Sequence, residues 1–215
     1  MSGSARAKDC CGTASRREVT VAGGRGYLVT KRLFDIAASL AAGVVLLIPM
    51  IIIGFLIRLE SEGPAVYCQE RLGKDGRPFI MYKFRTMGLD AEADGPCWAA
   101  VDDPRCTRLG RFLRRWHLDE LPQIYNIFIG DMSFVGPRPE RACFYEEFSR
   151  HIPNFHERLQ VPPGLTGHAQ VNGCGLEPEE KLRYDLEYME SRSMGVDIAC
   201  MFRTVFAVLL QDGAG

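Results

Sequence analysis

The sequence predicts an α-rich α+β protein with one helix set into a membrane, and three observations predict it. Residues 36–57 contain no charged side chain. At a rise of about 1.5 Å per residue, a helix of that length covers roughly one hydrocarbon core. Apolar residues recur at helical spacing in later segments, notably 179–191 and 196–210. Irregular and extended structure is expected over residues 59–87, where Gly63-Pro64, Gly73 and Gly76 mark turns.

Residues 1–26 read as a flexible basic tail, with Arg6, Lys8, Arg16, Arg17 and Arg25 among small and polar residues. No apolar core with a small-residue cleavage site follows closely enough to make a secretory signal. Residues 27–58 form the membrane helix. Pro49 lies past the middle of its apolar stretch and removes a backbone donor, which kinks a helix. Basic residues flank both ends, the tail before and Arg58, Arg71, Lys74 and Arg77 after, so the charge rule prefers neither orientation of a simple span. The residues leave two forms open: a single span that tolerates its proline, or a helix that bends at Ile48-Pro49 and returns to the same face.

Beyond the membrane helix, Phe79-Ile80-Met81-Tyr82 is a strand or a buried loop. Residues 89–104 are acidic and read as a short helix followed by a mobile loop. Residues 107–116 are helical, with Arg108, Arg111 and Arg115 on one side. Residues 141–155 carry helical periodicity through Phe144, Phe148 and Ile152 and end near Pro153. The face formed by Phe202, Val205, Phe206 and Leu209 either joins the core or lies along a bilayer surface.

A net charge of −1 supplies no global field for nucleic acid, and none is expected as a partner. The eight cysteines include an adjacent pair, Cys10-Cys11, but no CxxC spacing. They read as free thiols of a reducing cytosol rather than metal ligands or a disulfide framework.

The chemistry concentrates in residues 118–140, LDELPQIYNIFIGDMSFVGPRPE. Asp119 and Glu120 stand next to each other, with Arg111, Arg114 and Arg115 just upstream. Gly130-Asp131 and a rigid Pro137-Arg138-Pro139 turn follow. Carboxylates beside clustered arginines suit a site that holds a cation and a phosphate together, which points to phosphoryl transfer. Pro122 fits the first turn of a helix, placing Asp119 at or just before its N-terminus. A plain N-cap, stabilising by about 1 kcal/mol, is the bland alternative for Asp119. The flanking prolines fix the backbone of Arg138 and pre-organise its guanidinium. Lys83 and Arg85, from Lys83-Phe84-Arg85-Thr86-Met87, are further phosphate-binding candidates beside a surface-charge reading.

Six segments in order resemble the monotopic phosphoglycosyl transferases, bacterial sugar transferases that begin glycan assembly on a polyprenol phosphate. They are Lys31-Arg32-Leu33-Phe34-Asp35; Gly63-Pro64 with Gln69-Glu70-Arg71-Leu72-Gly73; Lys83 to Met87; Leu118 to Gln123; Gly130 to Pro139; and Pro163-Gly164-Leu165-Thr166-Gly167 running into Ala169-Gln170-Val171-Asn172-Gly173. The resemblance implies a re-entrant helix broken at its proline, with Lys31, Arg32 and Asp35 at headgroup level. It also implies a small cytosolic catalytic domain, residues 59–215, with amphipathic interfacial helices, on the inner face of the bacterial cytoplasmic membrane.

The implied reaction is ping-pong. Asp119 attacks the β-phosphorus of a UDP-sugar, UMP leaves, and polyprenol (undecaprenol) phosphate takes the phosphosugar from the aspartate. Asp119 and Glu120 are then the catalytic residues and the ligands of Mg²⁺. Lys83, Arg85, Arg114 and Arg138 bind substrate, and Thr166 and Gln170 contact the sugar or organise the site. The product would enter exopolysaccharide, capsule, O-antigen or glycoprotein assembly, with downstream glycosyltransferases as partners. Three positions depart from the family pattern: His117, His168 and Cys174 stand where a small hydroxyl residue, tryptophan and arginine are common. Alternatives are a membrane-bound phosphatase or nucleotidyl transferase using Asp119, and a non-catalytic membrane-anchored scaffold of a glycan-assembly complex.

Overall fold

One helix dominates the chain. α1, Arg25–Glu60, runs 36 residues with Pro49 inside it. The computed structural model describes residues 19–93, 95, 103–173 and 175–210. The expectations for Cys10-Cys11, for most of the basic tail, for much of the acidic loop and for Cys174 lie outside the described residues.

The charge-free middle of α1 stays bare: Val44, Val45 and Ile48 are each about 70% exposed, as expected of a surface that meets lipid rather than protein. Its N-terminal part is different. Lys31, Asp35 and Ser39 recur every four residues, share one face, and are buried. The residues expected at headgroup level have partners within the protein. Lys31 Nζ pairs with Asp197 at 2.7 Å, and Asp35 accepts the Phe134 N–H at 3.2 Å. Arg32 donates to the Ile127 and Phe128 carbonyls, both at 2.7 Å. A buried ammonium with a carboxylate partner has no reason to leave it for a lipid phosphate. The tail also ends earlier than residue 26. Val19 and Val21 pack on the core, and Ala22 N–H donates to the Met189 carbonyl at 2.8 Å.

The segment after α1 is more regular than its turn signals suggest. β1, Val66–Leu72, and β2, Pro78–Phe84, form an antiparallel hairpin in register from Val66↔Phe84 to Leu72↔Pro78. The turn at Lys74–Gly76 needs left-handed backbone at Asp75 and Gly76 (φ 57° and 71°). α2, Arg108–Arg115, starts at Thr107, whose side chain accepts the Gly110 N–H at 2.9 Å. α3, Gln123–Ile129, is closed by Gly130 at φ 100°.

β3, Ser133–Val135, then pairs in parallel with β4, Gly164–Thr166. Between them lie α4, Ala142–Ser149, and a 3₁₀ stretch, Phe155–Gln160. The helix expected to end near Pro153 closes a few residues earlier, at Ser149, and Asn154 adopts φ 65°. α5, His168–Asn172, α6, Pro178–Ser191, and α7, Met194–Leu210, complete an α-rich α+β chain. Several small apolar clusters hold it together. Val135, Val161, Tyr188, Met189 and Cys200 lie under α6 and α7, and Ile57, Phe84 and Leu113 sit beneath the C-terminal end of α1.

Candidate active site

Asp119 and Glu120 fall in a 3₁₀ turn, Leu118–Glu120, which enters through His117 in the left-handed region (φ 53°). Pro122 is the N-cap of α3, so Asp119 precedes that helix by a turn and does not cap it. The capping alternative therefore has no geometric basis. Both acids are buried, at 7% and 8% exposure.

The structure brings three of the expected basic residues to this dyad. Lys83 Nζ donates to Glu120 Oε1 at 3.0 Å, and Arg138 Nη2 donates to the same oxygen at 2.5 Å. Arg114, in the last turn of α2, donates from Nε to Thr86 Oγ1 at 3.0 Å and acts on Asp119 through its charge. Thr86, unremarked in the sequence, orients that arginine. Arg85 is elsewhere: its guanidinium donates to the Ser61 and Glu62 carbonyls and to Ser61 Oγ, closing the C-terminal end of α1.

Thr166 bonds Thr204 of α7 at 2.6 Å, His168 packs edge-on to Tyr188, and both Gln170 amide atoms are buried with no hydrogen-bond partner among the described residues. Asn126 is a further residue the sequence reading passed over. It is fully buried and ties α3 to β2, accepting from Tyr82 N–H at 3.1 Å and donating to the Ile80 carbonyl at 2.7 Å.

The two acids meet opposite electrostatic environments. Burial raises the Asp119 carboxyl above the usual carboxylate range; Lys83 opposes the rise and neighbouring Glu120 adds to it. Burial acts on Glu120 too, but Arg138 and Lys83 outweigh it and hold that carboxyl well below the usual range. No described residue donates a hydrogen bond to the Asp119 carboxylate. The result is a fixed anion, Glu120, that anchors two cations beside a second carboxylate whose oxygens are free to form a bond.

Among the described residues no group of three metal-ligating side chains gathers. Glu120 Oε1 is taken by two cations, which leaves its other oxygen and Asp119 open. That donor set fits Mg²⁺ in its usual role, with one or two carboxylates and the remaining positions filled by water and substrate phosphate.

An apolar cavity of about 680 Å³ begins next to the dyad. Leu121, Pro122, Tyr125 and Phe128 line one side, and Leu40, Val44 and Leu47 of α1 line the other.

Fold and site together define a membrane-associated enzyme of phosphoryl transfer, with a cation-flanked aspartate at the edge of an apolar groove. Residues 26–211 match the family described as bacterial sugar transferase, and the chain belongs to that family. It is 48% identical to a Bacillus subtilis protein provisionally named undecaprenyl-phosphate N-acetylgalactosaminyl 1-phosphate transferase, over 75% of this chain and 81% of that one. It is 38% identical to an Aeromonas hydrophila UDP-N-acetylgalactosamine-undecaprenyl-phosphate N-acetylgalactosaminephosphotransferase, over 87% and 45%. It is 40% identical to an Escherichia coli UDP-glucose:undecaprenyl-phosphate glucose-1-phosphate transferase, over 86% and 41%. The chain thus spans less than half the length of the last two relatives.

Proposed function

We propose that the chain moves a sugar 1-phosphate from a UDP-sugar to undecaprenyl phosphate and releases UMP, as the opening step of a bacterial surface glycan. The observation that carries this reading is Asp119, a buried carboxylate with no hydrogen-bond donor among the described residues, held in the field of cations that Glu120 anchors.

An Asp119 oxygen bonds to the β-phosphorus, and the bond from that phosphorus to the bridging oxygen breaks, so UMP leaves as a phosphate and the sugar phosphate stays on the carboxylate. A phosphate oxygen of the lipid then bonds to the same phosphorus. The Asp119–phosphorus bond breaks, which restores the carboxylate and yields the lipid diphosphosugar. Burial suits both steps, since a poorly solvated carboxylate is the better nucleophile and its acyl phosphate is sheltered from water. Arg138 spends one N–H on Glu120 and keeps the rest of its fork for a phosphate or the uracil; its side chain is 41% exposed. Mg²⁺, held by Asp119 or the open Glu120 oxygen, would lower the charge on the diphosphate and on departing UMP.

The names of the relatives support the two substrates, and the apolar cavity beside Leu121-Pro122 suits the first isoprene units of the lipid. A re-entrant α1, with the catalytic body on the cytosolic face of the inner membrane, agrees with one further fact. Both ends of the helix bond to the same body, through Lys31 with Asp197 and through Ile57 with Phe84 and Leu113. Contact of both ends with one body supports the reading in which they share one face of the bilayer.

The deciding experiment is incubation with UDP-glucose or UDP-N-acetylgalactosamine and Mg²⁺ without lipid. At most one UMP per site is expected, with a phosphosugar mass on the peptide bearing Asp119. An adduct on Glu120, or UMP release that strictly requires the lipid, overturns the assignment.

A further inference from the structure

Proline has no N–H, so the Pro137-Arg138-Pro139 turn can be held mainly through its carbonyls. Each carbonyl from residue 137 to 140 accepts from a different neighbour. Gly164 N–H reaches Pro137 O at 2.8 Å, and Leu72 N–H reaches Glu140 O at 3.0 Å. The two between are held by side chains: Arg158 Nη2 donates to Arg138 O at 3.1 Å, and Arg71 Nη1 to Pro139 O at 3.2 Å.

Arg158 is the unusual member. Its side chain and that of Asp185 on α6 are each 1% exposed, and Nε meets Oδ2 at 2.7 Å. The guanidinium lies over the Phe155 ring, 4.9 Å from its centroid. A buried ion pair is seldom more stabilising than an apolar pair of the same volume, so stability does not account for it. Its geometry does. A planar fork bonds Asp185 with one nitrogen and the Arg138 carbonyl with another, which a single ammonium on a flexible stem does not reproduce. On the far side of that carbonyl, the Arg138 side chain meets Glu120 beside Asp119.

We infer that Arg158, fixed by Asp185, is a positioning residue that aims Arg138 at the diphosphate of the nucleotide sugar. The inference rests on the function proposed above. Arg158 touches no reacting atom; it acts by keeping the backbone of the turn from rotating, so that a partly exposed guanidinium keeps one orientation.

Two variants separate aim from folding. Arg158→Lys leaves a cation against Asp185 but gives up the second planar donor. Arg158→Met combined with Asp185→Leu removes both charges and leaves neither unpaired. The full chain in lipid nanodiscs is assayed with whichever of UDP-glucose and UDP-N-acetylgalactosamine it turns over better, and amide hydrogen exchange is followed over residues 132–141. Both variants should fold, exchange faster in that segment, and show a KM for the UDP-sugar raised roughly tenfold or more, with a smaller change in kcat. Arg138→Ala added to Arg158→Lys should raise KM no further than Arg138→Ala alone. Wild-type KM and exchange in both variants, or additive effects in the cycle, overturn the inference. If exchange quickens but Arg138→Ala itself keeps the wild-type KM, the nucleotide-site reading falls, and the purpose assigned to Arg158 falls with it.

Discussion

Asp119 and Glu120 are adjacent, chemically alike and equally buried, yet their carboxyls are driven in opposite directions. The difference is one of partners: among the described residues, Glu120 receives two cations at hydrogen-bond distance, and Asp119 feels their field without such a bond. Because the folded pKa of Asp119 lies above its ordinary value, the folded state holds that proton more tightly than the unfolded chain. Stability therefore falls as pH rises through the window between the ordinary and the raised value. Asp119→Asn should remove this cost, raising the thermal midpoint by roughly 2–4 °C for about 1 kcal/mol, while turnover drops about a thousandfold or more. Calorimetry and single-turnover UMP release check the pair of effects; a variant that is both active and less stable contradicts the reading. In the wild type, the UMP burst should be lost on acidification while the pH is still above the ordinary aspartate range.

At the scale of elements, the parallel pair β3–β4 brings the Arg138 turn and the Thr166 segment into close backbone contact. Gly136, Gly164 and Gly167 approach so closely that a Cβ on Gly164 would overlap the Gly136 nitrogen, and one on Gly167 would overlap the Gly136 carbonyl oxygen. Gly136→Ala should cost about 2–3 kcal/mol and also displace Arg138 two residues on. Urea unfolding measures the first effect and the UDP-sugar KM the second; unchanged values for both would show that the strands separate freely. Helix α2 was legible because Thr107, its periodicity and its arginines agree. The β1–β2 hairpin was not: Glu70, Arg71 and Lys83 interrupt its apolar alternation, and its register is set by the turn at residues 74–76.

For the whole molecule, α1 touches one body near both of its ends while its middle presents bare apolar surface, which motivates a test of the proposed re-entrant topology. The exposed faces of α3 and α7, with Tyr125, Phe128, Phe202 and Phe206, extend that apolar surface. Single cysteines placed at Gly24 and Glu62, in a chain whose native cysteines are removed, should react with a membrane-impermeant maleimide only after the cells are opened. Labelling of one site from outside defeats the re-entrant topology. Pro49→Leu should straighten the helix and shift a fraction of molecules to a true span.

The sequence by itself determined the family, one long apolar helix, and the local runs that carry Asp119, Glu120 and the basic residues expected near them. These are properties of local runs: a charge-free stretch, a proline, adjacent acids and a turn with two prolines can be read without knowing what lies across from them. Only the tertiary structure decided that Arg85 serves the end of α1 and that Lys31 is buried against Asp197. Only it, too, decided that Arg158 and Asp185 reach the Arg138 turn from residues 20 and 47 positions further along the chain. The physical reason is common to all three. Where a long, charged side chain finds its partner depends on which distant backbone the fold brings within about 3 Å, and no periodicity or composition carries that distance.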